Sequence, residues 1–507
     1  MPPRKPLPQQ LPKICIALGL PTVAKLLQHA QNEIEGGERF LEFRLDYLPD
    51  PNEGAKAIAG FLESNPEASI LATCRRHQNH GKYNGSIDEQ IRILELAVRS
   101  GACAIDVEIE SAESAPSKLD HLRAESTLIL SYHNYEGTPP PETILRRMLK
   151  IPAHAYKVVT TAKKPNDSHK LLALAKVFPR EKLILLAMGE CGFPTRVLSP
   201  AWGGVYTYAA PTSAEGTASG QVSARLLRNL YRVEKFSKNA KIFGVVADPV
   251  RHSISPQVHN RAFQSKRIDA VYLPLLVQPA HMKDFFAFAD NLPLTGCSIT
   301  LPHKQKIIRY LDVVEPLARR IGAVNTIWKK AGKWRGTNTD AAGVTVPLSK
   351  RLKLNKSSVL IVGNGGAARG AAFALADAGA KISLVGRNLD RVRALSRICG
   401  GEPLSRDQAV QKHFDVVVHA TPIGMWPNLK DCFFDDHIPG DIVFDMVYNP
   451  METLLLAKAK SQGREVINGL QMFLEQAAQQ FEIFTGETAP RAVMEKAALE
   501  ALGAKSG

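Results

Sequence analysis

Through Ala209 the chain repeats one pattern. Eight short β-rich runs, at 14–20, 40–46, 70–75, 104–110, 128–133, 155–161, 183–188 and 204–209, are bounded by Gly, Pro, Asn and Asp. Most intervals between them carry apolar residues at helical spacing. The clearest is 86–100, SIDEQIRILELAVRS, with Asp88 and Glu89 in its first turn. Parallel strands need a crossover, and the crossover helices must cover the sheet, so a strand–helix unit repeated this often admits few architectures. The pattern predicts an α/β fold whose first half is a (β/α)8 barrel. A doubly wound open sheet uses the same units and stays open at this level.

The placement of ionisable residues favours the barrel, whose interior is apolar and whose chemistry lies at the C-terminal strand ends. Glu42 and Arg44 are two apart in the second run and share a face. Arg75 ends the third run, Asp106 and Glu108 share a face of the fourth, and His133 ends the fifth. Lys157 lies inside the otherwise apolar AYKVVTT, and Arg196 follows the seventh run. Each has an ordinary explanation alone: a solvated arginine, a core histidine, a lysine snorkelling at a rim. Their convergence at one end of successive strands reads as an active site. A lysine in an apolar strand is costly unless paired or neutral. Desolvation and neighbouring cations favour its free amine, a nucleophile toward carbonyls, with a histidine nearby to move protons. Aldol cleavage and β-elimination beside a ketone both fit. Arg44, Arg75 and Arg196 suit a carboxylate on the substrate.

At 507 residues the chain holds three or four domains of ~100–200 residues each. Its 45% hydrophobic and 22% charged residues exclude wholesale disorder. The net charge of +15 raises nucleic acid, a membrane surface or small anions as partners. No basic helix or nucleic-acid motif accompanies it, and the basic stretch WKKAGKWR (328–335) reads as a hairpin, so nucleic acid is not expected. Seven scattered cysteines without a CxxC pair argue against a disulfide framework or a metal site and fit a reducing compartment. No apolar stretch approaches the ~18 residues of a membrane span. The Pro-rich basic segment 1–12 reads as a flexible tail, and a cytoplasmic location is expected. Oligomeric state stays open.

The second half carries a different signature. SSVLIVGNGGAARGAAFALADAG is an apolar strand, a turn with Gly363, Gly365, Gly366 and Ala367, and a small-residue helix, the arrangement that seats a pyrophosphate on a helix N-terminus. The next strand, 382–385, is followed by Arg387 and Arg391, where an NAD-preferring fold carries an acidic residue. Two guanidiniums suit a 2′-phosphate, so the expected cofactor is NADP. Upstream lie Ser253 and Ser255 in RHSISP, Ser298, Thr300 and Lys304 in SITLPHK, Asn325 in GAVNTI, and Asn338, Thr339 and Asp340 in GTNTDAAG. Each alone is an ordinary turn.

Two resemblances organise these residues. LEFRLDYL, TCRR…GKYNGS, DVEIE, SYHNYEGTPP, YKVVTTA, PTRVLSPAWGG and SGQVSA, in that order, resemble type I 3-dehydroquinate dehydratase over residues 12–232. That resemblance implies an imine on Lys157, proton transfer by His133 as the C2 proton and C1 hydroxyl leave, and substrate binding by Glu42, Arg44, Arg75, Arg196, Thr217 and Gln221. It also marks a departure: Asn79 stands where the family carries a glutamate that orients the histidine, which implies a less basic His133. Residues 240–503 resemble shikimate dehydrogenase, through the clusters above together with ATPIGM, FDMVYNP and NGLQMFLEQAAQQFEIFTG. There the resemblance implies Lys304 and Asp340 as the catalytic pair. Ser253 and Ser255 would take the substrate carboxylate, and Thr300, Asn325, Thr339, Tyr448 and Gln476 the remaining substrate groups. Asn388, Thr421 and Gly469 join the cofactor set, and both serines favour shikimate over quinate. The expected domains are a barrel at 13–235, a shikimate-binding lobe at 241–342 completed by 471–507, and an NADP-binding Rossmann lobe at 343–470. The expected function is dehydration of 3-dehydroquinate followed by reduction of 3-dehydroshikimate with NADPH. The rival is another Schiff-base lyase, aldolase-like, fused to an NADP-dependent dehydrogenase.

Overall fold

The computed structural model describes residues 11–212 and 216–503. Apart from Leu11 and Pro12, the expected tail lies outside the described residues. The chain divides into two compact units, one running to Ala240 and including Leu275–Leu292, the other comprising Lys241–Pro274 and the chain from Pro293 onward.

The first unit is built on β1 (Ile14–Leu18), β2 (Phe40–Arg44), β3 (Ser69–Thr73), β4 (Ala104–Glu108), β5 (Thr127–His133), β6 (Ala155–Thr161), β7 (Leu183–Met188) and β8 (Thr207–Ala209). Neighbours in sequence are neighbours in the sheet, all parallel, and β1 also pairs with β8. Leu183 bridges to Gly204 beside β8, so the open-sheet alternative falls and the barrel stands. Its interior layer is apolar toward the strand N-termini, with Phe40, Leu71, Ala104, Ile129 and Ile184 all buried. Two positions further along the same faces, beyond Phe40, Leu71, Ala104, Ile129 and Ala155, the side chains become Glu42, Thr73, Asp106, Ser131 and Lys157. The parallel register sets Thr73 beside Asp106 and Ser131 beside Lys157. The helix read from SIDEQIRILELAVRS runs Ile87–Arg99, started by a reciprocal capping box between Ser86 and Glu89.

The second unit carries two six-stranded sheets. One is ordered β10 (Ala270–Leu276), β9 (Lys241–Ala247), β11 (Leu294–Ile299), β13 (Thr326–Lys330), β14 (Lys333–Thr337) and β12 (Val313–Val314). The basic hairpin is β13 and β14, antiparallel, turning at Ala331 and Gly332 with positive φ. The other sheet is ordered β17 (Glu402–Pro403), β16 (Lys381–Val385), β15 (Ser358–Val362), β18 (Phe414–His419), β19 (Gly440–Asp445) and β20 (Glu465–Ile467), with the recorded pairs all parallel. Alternation along β15 explains its unbroken apolar run: Val359 and Ile361 join the core on one face, Leu360 and Val362 the core on the other. Strand order reverses between β15 and β18, the place where such sheets bind nucleotides.

Candidate functional site

One cavity in the barrel is lined by Glu42, Arg44, Arg75, His133, Lys157, Arg196, Thr217 and Gln221, together with Tyr135 and Tyr208. Every substrate and catalytic residue expected in the first half therefore faces one space. Lys157 is 4% exposed. Its Nζ donates to Asp106 Oδ2 at 2.7 Å and to the Tyr208 hydroxyl at 3.0 Å, with Glu42 Oε1 at 3.8 Å. The charged groups nearest the amine are thus carboxylates, not the cations that sequence invokes. A lysine on β6 and an aspartate on β4 both project inward and meet across β5. Burial alone would raise the Asp106 carboxyl, but Lys157 and Arg75 outweigh it and hold the group below its ordinary range.

The arginines differ from one another. Arg44 is bound in a fork to Asp46, at 2.9 and 2.8 Å, and Asp46 also accepts from the Lys82 amide. Arg75 lies 3.6 Å from Asp106 and 3.7 Å from Glu108, longer than hydrogen bonds, and its Nε and Nη2 are buried with no hydrogen-bond partner. Arg196 donates to Ser219 O at 2.9 Å while its buried Nε has no partner. Burial alone lowers its guanidinium to about 10. Unpaired buried guanidinium N–H groups are costly without an anion to receive them. Arg75 and Arg196 accordingly have arms available to a carboxylate, while Arg44 gives its Nε and Nη2 to Asp46. Gln221 reaches Thr217 at 3.5 Å.

His133 has a buried Nδ1 with no partner, and its ring stacks against Tyr135 with centroids 6.3 Å apart. Burial, then Arg75, Lys157, Arg44 and His80, push its pKa well below the ordinary value. The Asn79 amide itself is committed to Glu110 at 2.9 Å. Asp106 is turned to Lys157 and Ser131, and Glu108 to Gln90 and the Arg76 amide.

In the second unit Lys304 and Asp340 form an ion pair of 2.5 Å. Asp340 opens the helix Asp340–Ser349, and its other oxygen accepts from Asn325 at 2.7 Å. Asn325 also donates to Thr339 Oγ1 at 3.0 Å and accepts the Thr339 amide at 2.8 Å. Four of the expected residues therefore form one network. Asn338 holds the Asp340 amide at 3.0 Å. Ser255 heads the helix Ser255–Ser265, with its amide on Ser253 Oγ at 3.2 Å. Thr300 lies just past β11, its amide on Val246 O. Burial lifts the Tyr448 hydroxyl to about 12. Gln476 spends its side-chain amide N–H on Phe473 O at 3.2 Å, and its main-chain carbonyl accepts from the Thr339 hydroxyl at 3.3 Å.

The nucleotide loop follows β15. Gly363 has φ +128°, and a Cβ there would stand 2.8 Å from Ala420 O. Gly365 opens on free space. The helix Gly366–Asp377 begins without a side-chain cap, which leaves its first amides for an anion. A Cβ on Gly366 would come within 3.1 Å of Lys304 Cβ, so the loop and the Lys304–Asp340 pair adjoin. Arg387 and Arg391 are exposed beyond β16, where Asn388 caps the helix Leu389–Cys399 through the Arg391 amide at 3.0 Å. Thr421 lies past β18 and Gly469 past β20. At Gly469 a Cβ would strike Met446 O and Val447 O at 2.5 Å. The residues present fit a dinucleotide with an added 2′-phosphate.

Comparison with known proteins follows the same division. Residues 14–238 match the model for type I 3-dehydroquinase. Residues 245–327 match the shikimate dehydrogenase substrate binding domain, 347–423 shikimate/quinate 5-dehydrogenase, and 469–499 the shikimate 5′-dehydrogenase C-terminal domain. The bifunctional 3-dehydroquinate dehydratase/shikimate dehydrogenase of Arabidopsis thaliana chloroplasts is 32% identical over 94% of this chain and 83% of the plant protein. The chain belongs to the bifunctional 3-dehydroquinate dehydratase/shikimate dehydrogenase family. The shikimate biosynthesis protein AroDE of Chlamydia pneumoniae is 31% identical over 75% of this chain and 78% of its own length. A solved shikimate dehydrogenase in complex with NADP+ aligns with 53% of this chain and 97% of its own at 33% identity and a TM-score of 0.50.

Some residues in both halves escape sequence reasoning. In the dehydratase half these are Asp46, Tyr135 and Tyr208. In the dehydrogenase half Gln480 donates to Thr326 at 3.0 Å and accepts from Ser298 at 2.6 Å, and Ser298 in turn accepts from Tyr272 at 2.6 Å. His419 links half-buried Thr421, at 2.6 Å, to Asp445, at 2.9 Å, and His419 and Asp445 are themselves buried. Gln480 lies one helical turn beyond Gln476, a spacing that could have flagged it. His419 and Tyr208 sit on apolar strands and look like core.

Proposed function

We propose that the barrel dehydrates 3-dehydroquinate through an imine on Lys157 and that the second unit reduces the product with NADPH at Lys304 and Asp340. The observation that carries the first part is the convergence of Lys157, His133 and the unpaired arms of Arg75 and Arg196 on one cavity. Lys157 adds to the ketone. Neutral His133 takes the C2 proton and returns it to the departing C1 hydroxyl. Arg75 and Arg196 bind the substrate carboxylate, and Arg44, fixed by Asp46, shapes the wall beside it. Glu42, Thr217 and Gln221 hold substrate hydroxyls.

The Lys304–Asp340 pair supports the second part. NADPH supplies the hydride when bound, held by Gly363, Gly365, Gly366, Ala367, Asn388, Thr421 and Gly469, with Arg387 and Arg391 on the 2′-phosphate. Lys304 gives the ketone oxygen its proton, while Asp340, anchored by Asn325, keeps the ammonium in place. Ser253 and Ser255 take the carboxylate. Thr300, Asn325, Thr339, Tyr448 and Gln476 contact the ring substituents, with shikimate favoured over quinate. The domain limits we assign are 13–235, 241–342 with 471–507, and 343–470. Seven cysteines, none of them in a disulfide among the described residues, support a reducing compartment such as the cytoplasm, which fractionation of the native cell checks.

Lys157→Ala abolishes dehydration and spares reduction, and Lys304→Ala does the reverse. Assays of 3-dehydroquinate turnover and of 3-dehydroshikimate-dependent NADPH loss read the two separately. Loss of both activities in one folded variant defeats the two-site reading.

A further inference from the structure

Tyr208 occupies a place in the barrel that the roles above leave unassigned. It is 4% exposed, on the last strand, and its hydroxyl is 3.0 Å from Lys157 Nζ, 3.4 Å from Glu42 Oε1 and 3.2 Å from the Tyr206 hydroxyl. The amine thus has two hydrogen-bond acceptors of different kinds. One is Asp106, whose carboxyl is held below its ordinary range by Lys157 and Arg75 after they outweigh burial. A carboxylate so stabilised holds a cation well and takes its proton poorly. The other is a phenol. Burial first, then Glu42 and Tyr206, push its pKa well above the ordinary value, so it stays protonated. A protonated hydroxyl can accept from one atom while donating to another, and no net charge need settle on it.

We propose that Tyr208 is a catalytic residue of the dehydratase, passing a proton from the Lys157 nitrogen to the substrate's carbonyl oxygen during imine formation. The step balances within the site. The ammonium carries three hydrogens and the protonated imine one, so two protons leave nitrogen. The C–N bond forms as the carbonyl π pair moves to oxygen. That oxygen takes both protons, the C–O bond breaks, and water departs. Net charge is unchanged and no outside donor is required. Tyr208 carries one of the two protons, accepting from N–H and donating its own O–H to the oxygen on the adjacent carbon. Glu42 receives that O–H when no substrate oxygen is present.

This rests on the reading of Lys157 as the imine-forming lysine, and the experiment separates the two. Wild type, Tyr208→Phe, Tyr206→Phe and Lys157→Ala are mixed with 3-dehydroquinate, quenched with borohydride at short times, and the reduced adduct is weighed. Tyr208→Phe keeps the ring and removes only the hydroxyl. Adduct formation is expected to slow by about 100-fold, the lower end of what a positioned proton donor contributes, with KM little changed. Tyr206→Phe, one hydroxyl further from the amine, stays near wild type. An adduct from Tyr208→Phe at the wild-type rate overturns the proposal, as does equal slowing in Tyr206→Phe. An adduct persisting in Lys157→Ala overturns the underlying lysine reading instead. Should Tyr208→Phe fold poorly, the unaltered chain decides: slower adduct formation in D2O supports the relay, and an unchanged rate overturns it.

Discussion

His133 is a base surrounded by cations. Arg75, Lys157, Arg44 and His80 act on it together with burial, and all push in one direction. A histidine with a depressed pKa stays neutral, and able to accept a proton, as pH falls through the ordinary histidine range near 6.5. The acid limb of the dehydratase profile is therefore expected below that value, and a pH series of kcat/KM checks it. A limb at or above it contradicts the environment described. Arg387 and Arg391 are exposed and free to meet a 2′-phosphate. Arg387→Asp is expected to cut the NADPH over NADH preference about 10-fold or more, the loss of a charge-assisted contact of about 1.5–3 kcal/mol. Paired coenzyme KM measurements read it, and an unchanged ratio refutes the assignment. At this scale Lys157 was legible because one lysine in AYKVVTT violates the apolar pattern of its strand. Asp46 was not: it looks like a strand-end aspartate until its fork to Arg44 is seen.

Elements carry their own constraints. The second strand stops at Arg44, two residues short of the expected 46, because Leu45–Tyr47 turn in a 3-10 helix that swings Asp46 back onto Arg44. The eighth, expected over 204–209, is hydrogen-bonded as a strand only at Thr207–Ala209. The nucleotide loop followed its sequence closely, since its glycines answer local needs. Gly363→Ala sets a Cβ 2.8 Å from Ala420 O at a positive φ. It is expected to weaken NADPH binding and to cost about 1–3 kcal/mol in stability, read by NADPH titration and by urea melts. Ser86→Ala removes half of the capping box on Ile87–Arg99 and is expected to cost about 1 kcal/mol. The dehydratase KM, which depends on residues elsewhere, should not move.

The whole molecule puts two successive chemistries in one chain, each within its own compact unit. A ligand that binds the native state lifts the transition of the unit that holds it. NADPH at a hundredfold excess over its Kd is expected to stabilise the second unit by about 2.7 kcal/mol, and calorimetry with and without it checks this. An unmoved profile contradicts the nucleotide site. Among the described residues no helix is long and apolar enough to cross a membrane. Part of the charge of +15 falls on residues we assign to the two sites, Arg44, Arg75, Lys157 and Arg196 in the barrel and Lys304, Arg387 and Arg391 in the second unit, and the remainder lies outside them.

The sequence alone determined the alternation that builds the barrel, the nucleotide turn, and the ionisable residues at strand ends, because each is written in neighbouring positions: period, glycine placement, one polar residue in an apolar run. The tertiary structure decided which charges pair. Lys157 meets Asp106 across 51 positions and Tyr208 across another 51, and Ser298 meets Gln480 across 182. Such distances close only when the barrel and the sheet close, and no local pattern records them.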